Sequence, residues 1–212
     1  LIGRLFTKGI VDMQKKVALT GPLAYGAQYY NVLPGMPVAE IFRSNVMTGE
    51  PVRYVAGNVL SGHQVGIDEM INIYDNQFTV LDEGTENHEF MGWIMPRFDG
   101  FNAGKTDPAK MLDCGFMHWL FGKKHYQWDA RLKGGRRAII VSGEYDKVFP
   151  MDIYPEYLIK AMIAGNIDKM EALGVYEVAP EDFALCEYVC TSKMPLQAIV
   201  RTALDNLKKE IE

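Results

Sequence analysis

The sequence predicts an α+β fold in which a sheet-forming region precedes a helical one. Up to residue 148 the chain consists of short apolar runs separated by Gly, Pro and Asn, which is typical of strands and turns. After Pro150 the apolar residues recur with the 3.6-residue period of helices. From this change we predict three parts: the end of a preceding domain at 1–16, a sheet domain with an inserted helix at 17–148, and a helical domain at 149–212.

The first region predicts a mixed, twisted sheet with helices packed against it. Its strands are predicted at 17–20, 52–59, 77–81, 89–95, 127–132 and, as a buried strand, 137–142. Two helices are predicted at 37–43 and 107–120, because each has Pro in its first turn and apolar residues on one face. Residues 61–64 are predicted as a loop.

Four helices are predicted in the second region, and together they would make a small bundle. The first ends near Gly165, a residue type that suits a helix C-terminus, and Asn166 can cap the second. The third runs to Cys190. The fourth has Pro195 in its first turn and repeats apolar residues at helical spacing as far as Ile211.

The composition, with 48% hydrophobic and 23% charged residues, is that of an ordinary soluble globular protein. The formal net charge of -5 argues against non-specific nucleic-acid binding. Three cysteines are too few for a secreted disulfide framework and indicate a reducing compartment. No apolar run approaches the roughly 20 residues that cross a bilayer. Because the opening residues from Leu1 resemble the middle of an element, we expect the chain to be a fragment of a longer protein.

The two cysteines near the end of the chain stand in a partial iron-sulfur ligand frame. A bacterial 4Fe-4S run has the spacing Cys-x2-Cys-x2-Cys-x3-Cys. On this chain, the downstream frame has Cys186 and Cys190 in its last two positions and Pro180 and Phe183 in its first two. A second, upstream frame that contains no cysteine and is followed by proline falls on Ile139, Ser142, Tyr145 and Phe149.

Two interpretations of Cys186 and Cys190 stay open. As buried thiols they would act as small hydrophobic side chains. As ligands they would need partners, because a cluster or a structural zinc takes four protein ligands. The remaining candidates are scattered without ligand spacing: Cys114, His63, His88, His118 and His125. Ligand count therefore favours the first interpretation, and we predict no metal site and no catalytic residues.

Five of the six frame positions without cysteine hold apolar or aromatic side chains. A helical fold that once enclosed two clusters would keep large voids without them, and such voids cost several kcal/mol. We therefore hypothesise that the helical domain is ferredoxin-like and that side chains have replaced its clusters.

Several ordered sequence blocks resemble one protein family. They are VAGNVLSG at 55–62, NQFTVLDEG at 76–84, FMGWIMP at 90–96, GEYDKVFPMDI at 143–153 and EDFALCEYVC at 181–190. These blocks resemble the C-terminal half of the A subunit of the sodium-translocating NADH:quinone reductases, from about Leu5 to Glu212. The C-terminal frame is also similar to that of the C subunit of the related electron-transport complex, which keeps its cysteines. The segment that begins at Val17 is similar to a soluble-ligand-binding β-grasp domain.

The resemblance implies a peripheral subunit on the cytoplasmic side of the bacterial inner membrane. The complex it implies oxidises NADH, reduces quinone and exports sodium, and it uses NADH, quinone, flavins and Na+. For this subunit the resemblance implies membrane subunits as partners, no flavin or cluster of its own, and a link with quinone binding. We expect the fragment to serve assembly and quinone docking without being catalytic itself. No G-x-G-x-x-G follows a predicted strand, which argues against a dinucleotide site.

The chain departs from the family at two places. Thr191 follows the second cysteine where the family usually has Pro, and 131–137 is basic where the family is often rich in Thr. Lys133 to Arg137 is interpreted either as a solvated hairpin turn or as a cationic tip for anionic lipid or for an acidic face of a membrane subunit. The tryptophans are interpreted as core or interface residues in preference to quinone-stacking groups: Trp93, Trp119 and Trp128.

Two alternatives to a cluster-free part of a sodium pump stay open. The first is an iron-sulfur electron carrier, which iron analysis would identify. The second is a stand-alone β-grasp module that binds a sugar or cofactor, which would not copurify with membrane subunits.

Overall fold

The computed structural model describes residues 2–25, 27–47, 51–85, 129–132, 135–140 and 142–211. These residues belong to two compact units, divided between Arg131 and Leu132. The first unit contains a five-stranded mixed sheet, and the second contains most of the helices. The predicted α+β class is therefore confirmed. The predicted domain limits at 1–16, 17–148 and 149–212 stay predictions.

The described part of the sheet unit contains five strands and two short helices. They are α1 (Ile2–Lys8), β1 (Lys15–Thr20), β2 (Gln28–Val32), α2 (Ala39–Phe42), β3 (Val52–Ala56), β4 (His63–Gln64) and β5 (Gln77–Asp82). The strand order is β2-β1-β5-β3-β4. β1 and β5 are parallel, and the other neighbours are antiparallel.

The core of this unit lies between α2 and the middle of the sheet. Leu19 of β1 is paired with Phe78 of β5, and both are buried, as is expected where strands of a sheet are covered. The ring of Phe42 in α2 stacks on Tyr54 of β3 at 4.4 Å and meets Phe78 edge-on at 5.6 Å. These contacts fix the short helix on the sheet, because aromatic pairs favour such geometries.

The turn after β1 requires glycine. Gly21 has φ +116, in the left-handed region, and a Cβ atom placed there would lie 2.1 Å from the carbonyl oxygen of Val80. A side chain at this position would therefore separate β1 from β5.

Most strand predictions within the described part of the sheet unit are confirmed. The strands at 17–20, 52–59 and 77–81 correspond to β1, to a shorter β3 and to β5, and the helix at 37–43 corresponds to α2. β2 was not predicted. The loop predicted at 61–64 is wrong at its end, because His63 pairs with Ala56 to make β4.

Other predictions in this region fall partly or wholly outside the described residues. Of the strand predicted at 127–132, the structure describes 129–132, where the sheet pairing is an isolated bridge between Asp129 and Asp82. The strand predicted at 89–95 and the helix predicted at 107–120 lie outside the described residues.

In its described residues the helical unit contains four α-helices and two 3-10 turns. Its elements are α3 (Pro155–Ala164), α4 (Ile167–Ala172), 3-10 turns at Val175–Glu177 and Pro180–Phe183, α5 (Ala184–Val189) and α6 (Leu196–Ile211). The four predicted helices are confirmed, although the third begins as a 3-10 turn and Cys190 caps its end instead of lying inside it.

The buried strand predicted at 137–142 is wrong. Residues Arg137 to Ile140 form no strand, and Ile140 is 75% exposed. The segment runs beside the loop before α6, where the Arg137 N–H donates to the Ser192 carbonyl at 2.8 Å and the Ser192 hydroxyl donates to the Ala138 carbonyl at 2.9 Å. Among the described residues the segment is bonded to this loop and not to a strand, and Ile139 packs against the helical core.

Asn166 caps α4, as the sequence predicts: its side-chain oxygen accepts the Lys169 N–H at 3.0 Å. Replacing Asn166 with alanine is expected to lower the free energy of unfolding by about 1 kcal/mol, because this N–H loses its partner. Urea denaturation followed by circular dichroism measures the change. Asn166→Asp is the control, since aspartate caps equally well and should stay near the parent value.

None of the helices in the described ranges has the length and apolar character of a membrane span.

Candidate functional site

Most residues of the two ligand frames come together in the core of the helical unit, whereas Ser142 is exposed. Five of them are buried in one hydrophobic cluster: Tyr145, Phe149, Phe183, Cys186 and Cys190. Ile139 is partly buried against the same cluster, and Pro180 is half-buried at the start of its 3-10 turn. The interpretation of the cysteines as buried thiols in a core is therefore confirmed.

Three contacts in this core connect one frame with the other. The Tyr145 hydroxyl lies 2.9 Å from the Cys190 sulfur, within hydrogen-bond distance. The rings of Phe149 and Phe183 lie 4.8 Å apart at an angle of 46°. The Cys186 sulfur also lies 3.9 Å from the Tyr145 carbonyl oxygen. The upstream frame is thus held against the downstream frame through its last two positions, Tyr145 and Phe149.

The contacts follow the ligand exchange of two-cluster ferredoxins. In those proteins the fourth cysteine of each run ligates the cluster of the other run. By that rule Tyr145, third in its frame, would share a cluster with Cys190, fourth in the other frame. Phe149, fourth in the upstream frame, would share a cluster with Phe183. These two side-chain contacts therefore each join positions that the rule assigns to the same cluster, whereas the contact of Cys186 with the Tyr145 carbonyl joins positions of different clusters.

Hydrogen-bonded turns direct the side chains of Tyr145, Phe149 and Phe183 into the core. The N–H groups of Val148 and Phe149 both donate to the Tyr145 carbonyl, at 3.0 and 2.8 Å, which closes a tight turn between the two aromatic residues. On the other side, Asp182 accepts the Ala179 N–H at 2.8 Å and fixes the 3-10 turn that ends at Phe183. On each side of the core, a hydrogen-bonded turn thus lies between two consecutive positions of a frame.

A buried carboxylate holds the start of the upstream frame. Glu156, in the first turn of α3, is 2% exposed. Its oxygens accept the Ser142 N–H at 3.0 Å, the Gly143 N–H at 3.1 Å and the Ser142 hydroxyl at 3.4 Å. A carboxylate in a first helical turn is also favoured by the helix dipole. Sequence reasoning missed Glu156, and its place directly after Pro155 was the available signal for a first-turn acid.

Burial determines the protonation state of the Cys186 thiol and the Tyr145 hydroxyl. It raises the pKa of the Cys186 thiol to about 12 and, together with the nearby Cys190 sulfur, raises the pKa of Tyr145 above its ordinary value. A thiol of that pKa is protonated at neutral pH, whereas the thiolate is the nucleophile and the metal ligand. Cys186 is therefore suited to packing and not to thiolate chemistry.

The raised pKa values predict a loss of stability in alkali. Because the unfolded chain would release these protons near its ordinary values, the stabilising effect is complete below about pH 8.5 and is lost as the pH rises towards 12. We expect the unfolding free energy of the helical unit to fall between about pH 8.5 and about pH 11 in urea titrations. Cys186→Ala should show a shallower fall. An equal slope in the variant and the parent would contradict the assignment to Cys186.

The residues present do not fit a 4Fe-4S cluster. Each of the two sets that the exchange rule defines offers one cysteine where four thiolates are needed. Side chains fill the space around them: the Tyr145 hydroxyl contacts Cys190, and the rings of Phe149 and Phe183 pack together in the same core. Within the described part of the chain, no group of three or more His, Cys, Asp or Glu side chains could hold a metal ion.

The other residues singled out by the sequence are not brought into this site. His63 lies exposed on β4 in the sheet unit. Arg136 and Arg137 are exposed, but the described residues around them form no strand pair, so the hairpin predicted there is not observed. The remaining candidates lie outside the described residues: Lys133, Cys114, His88, His118, His125, Trp93, Trp119 and Trp128.

Comparison with known proteins gives consistent results. Residues 16–66 match a family model described as the NQRA C-terminal domain. Over 210 residues, or 99% of its length, the chain is 35% identical to the A subunit of the Na(+)-translocating NADH-quinone reductase of Pasteurella multocida, of which it covers 44%. The corresponding proteins of Shewanella denitrificans and Histophilus somni are 31% and 33% identical over 99% of the chain, which covers 45% and 44% of them.

The chain thus spans less than half the length of the curated relatives it matches. The resemblance predicted from the ordered sequence blocks is confirmed. The chain is homologous, over nearly its whole length, to the A subunit of the Na(+)-translocating NADH-quinone reductases.

Proposed function

We propose that this chain is part of a peripheral subunit of a sodium-pumping NADH:quinone oxidoreductase, where it serves assembly of the complex. The observation that carries the proposal is the similarity to the A subunits of such reductases over 99% of the chain. The membrane subunits of the reductase are the partners, and the chain lies on the cytoplasmic side of the bacterial inner membrane. NADH, flavins and Na+ are handled by other parts of the complex.

In this proposal the sheet unit is a β-grasp domain and the helical unit is a ferredoxin-like domain without clusters. The support for the second assignment is the contact pattern between the frames, Tyr145 with Cys190 and Phe149 with Phe183. The buried rings keep the domain packed, so that it offers a rigid body for assembly and no redox centre of its own.

The test is coexpression of the chain with the membrane subunits of a homologous reductase, followed by affinity purification. We expect stoichiometric copurification and crosslinks from the chain to those subunits. Failure to copurify in an otherwise intact complex would contradict the assembly role, and tight binding of a sugar or cofactor by the isolated chain would favour a stand-alone module.

Iron analysis separates the proposal from an electron carrier. We expect less than stoichiometric iron and acid-labile sulfide in protein purified without oxygen, because the frames lack six of eight thiolates. Stoichiometric iron and sulfide would establish the alternative.

Quinone docking is the second role in the proposal, and it follows from the family likeness alone. We expect a photoreactive quinone to label this chain within the assembled complex. Labelling confined to the other subunits would remove quinone binding and leave the assembly role intact.

A further inference from the structure

Strand β2 forms one edge of the described sheet, and it lacks the features that usually protect an edge. Residues 17–39 contain no Asp, Glu, Lys or Arg. β2 has five residues, none of which is Pro, whereas β4 at the opposite edge has two. Natural edges are commonly blocked by charge, by proline or by shortness. Of the two edges, only that of β4 is protected by its shortness.

The direction of the free backbone groups of β2 follows from the sheet. The Ala18 N–H donates to the Asn76 carbonyl at 3.0 Å, so the backbone groups of Ala18 point towards β5. Successive residues of a strand point their backbone groups to opposite sides, and Val17 and Leu19 therefore point towards β2. Their register partners are Tyr30 and Gln28.

The remaining residues of β2 point the other way. Tyr29 and Asn31 alternate with Tyr30, so their N–H and C=O groups face away from β1. Among the described residues, no hydrogen bond is made to the backbone groups of Tyr29 or Asn31 outside the strand ladder. The Tyr29 side chain is 76% exposed, and Tyr25 just before the strand is also exposed.

We propose that the outer edge of β2 receives an added strand, bonded to the backbone of Tyr29 and Asn31, from an extended and uncharged segment of another subunit of the reductase. This inference rests on the proposed function, because it names the surface through which assembly occurs. Main-chain bonds supply the affinity of such strand addition. Tyr25 and Tyr29 supply contact area, since tyrosine is enriched and charge is depleted in interface cores.

Another subunit fits this edge better than the alternatives. Residues 17–39 carry no charge, and Lys16 of β1, opposite Asn31, is a single cation where anionic lipid head groups bind clusters of about four to eight basic residues. A second copy of the chain would pair one five-residue strand with another, which is far smaller than the roughly 20 to 30 residues per partner of a stable interface. In a complex with other contacts, a short added strand gains from the high local concentration of its partner.

Amide hydrogen exchange tests the proposal on the chain alone and in the copurified complex. We expect the amides of Tyr29 and Asn31 to exchange at least about tenfold more slowly in the complex, because each gains a backbone bond there. The amides of Gln28 and Tyr30, already bonded to β1, serve as the internal reference and should be protected in both samples.

Two substitutions of Asn31 distinguish the contribution of its backbone N–H from that of its side chain. Asn31→Pro removes an N–H that faces away from β1, a position where an edge strand tolerates proline, and it should reduce copurification by about tenfold. Asn31→Ala keeps the N–H and should stay within about twofold of the parent. Thermal unfolding of the isolated variants shows whether Asn31→Pro still folds, and the exchange experiment on the parent chain requires no substitution.

The outcomes distinguish the inference from the proposed function. If the chain copurifies but the Tyr29 and Asn31 amides exchange as in the free chain, the edge is not the interface and the assembly role stands. If those amides are already protected in the isolated chain or in a homodimer, the strand comes from the chain itself or from a second copy, and the inference is overturned. Absence of copurification overturns both.

Discussion

Truncation of Phe183 to alanine is expected to lower the free energy of unfolding of the helical unit by about 4 kcal/mol. Phe183 is fully buried, and its ring packs against that of Phe149 in the space between the two frames. Removing it leaves a cavity that the rigid turns on both sides cannot close. Urea denaturation followed by circular dichroism at a helical wavelength measures the loss.

Two control variants make the Phe183 result specific. Phe183→Leu keeps most of the volume and should cost about 1 kcal/mol. Tyr154→Ala removes an aromatic ring of similar size that is 68% exposed in the same unit, and it should change stability by less than about 0.5 kcal/mol. A cost for Phe183→Ala no greater than that for Tyr154→Ala would show that the ring does not fill the core. The interpretation that side chains have replaced the clusters would then lose its main support.

The helical unit was predictable because its signals are local. Gly165 has the left-handed conformation that ends α3, and Asn166 caps α4 through its own side chain. The apolar residues of α6 recur at helical spacing within the helix itself. They can be recognised without knowing which element the helix packs against. Such elements follow from a single sequence, since capping and periodicity act within one helix.

The sheet unit was less predictable because strands depend on partners that are distant in sequence. β2 reads Gln-Tyr-Tyr-Asn-Val and shows no apolar alternation, and its pairing with β1 makes it a strand. The apolar run at Ala138 to Ile140 has the composition of a buried strand but finds no neighbouring strand among the described residues. Composition favoured a strand in the second case, and tertiary context prevented it.

The candidate site, too, could be predicted from the sequence only in part. The frame spacing around Cys186 and Cys190 could be predicted from the sequence, and so could the absence of enough ligands. The pairing of Tyr145 with Cys190 across 45 positions could not, because no local rule specifies which turns meet in space. The ligand-exchange rule of two-cluster ferredoxins is not local, and it assigns Tyr145 and Cys190 to one cluster.

Replacement of Glu156 with alanine is expected to lower the free energy of unfolding by about 3 kcal/mol, the second largest effect that we predict. The carboxylate accepts two backbone N–H groups and one hydroxyl from Ser142 and Gly143, and bonds to a charged acceptor are stronger than neutral ones. Without it the start of the upstream frame loses its attachment to α3. Denaturant unfolding and amide exchange at residues 142–149 measure the change.

Two matched variants separate the role of the buried carboxylate of Glu156 from the general effect of removing an acidic side chain. Glu156→Gln keeps one oxygen acceptor and the shape of the side chain, so about half of the loss is expected. Glu210→Ala removes an exposed glutamate near the C-terminal end of α6, where a negative charge is unfavourable to the helix dipole, and should leave stability within about 0.5 kcal/mol. If Glu156→Ala left the exchange of 142–149 unchanged, the frame would be held by the contacts of Tyr145 and Phe149 alone. The aromatic core would then determine the position of the upstream segment without help from α3.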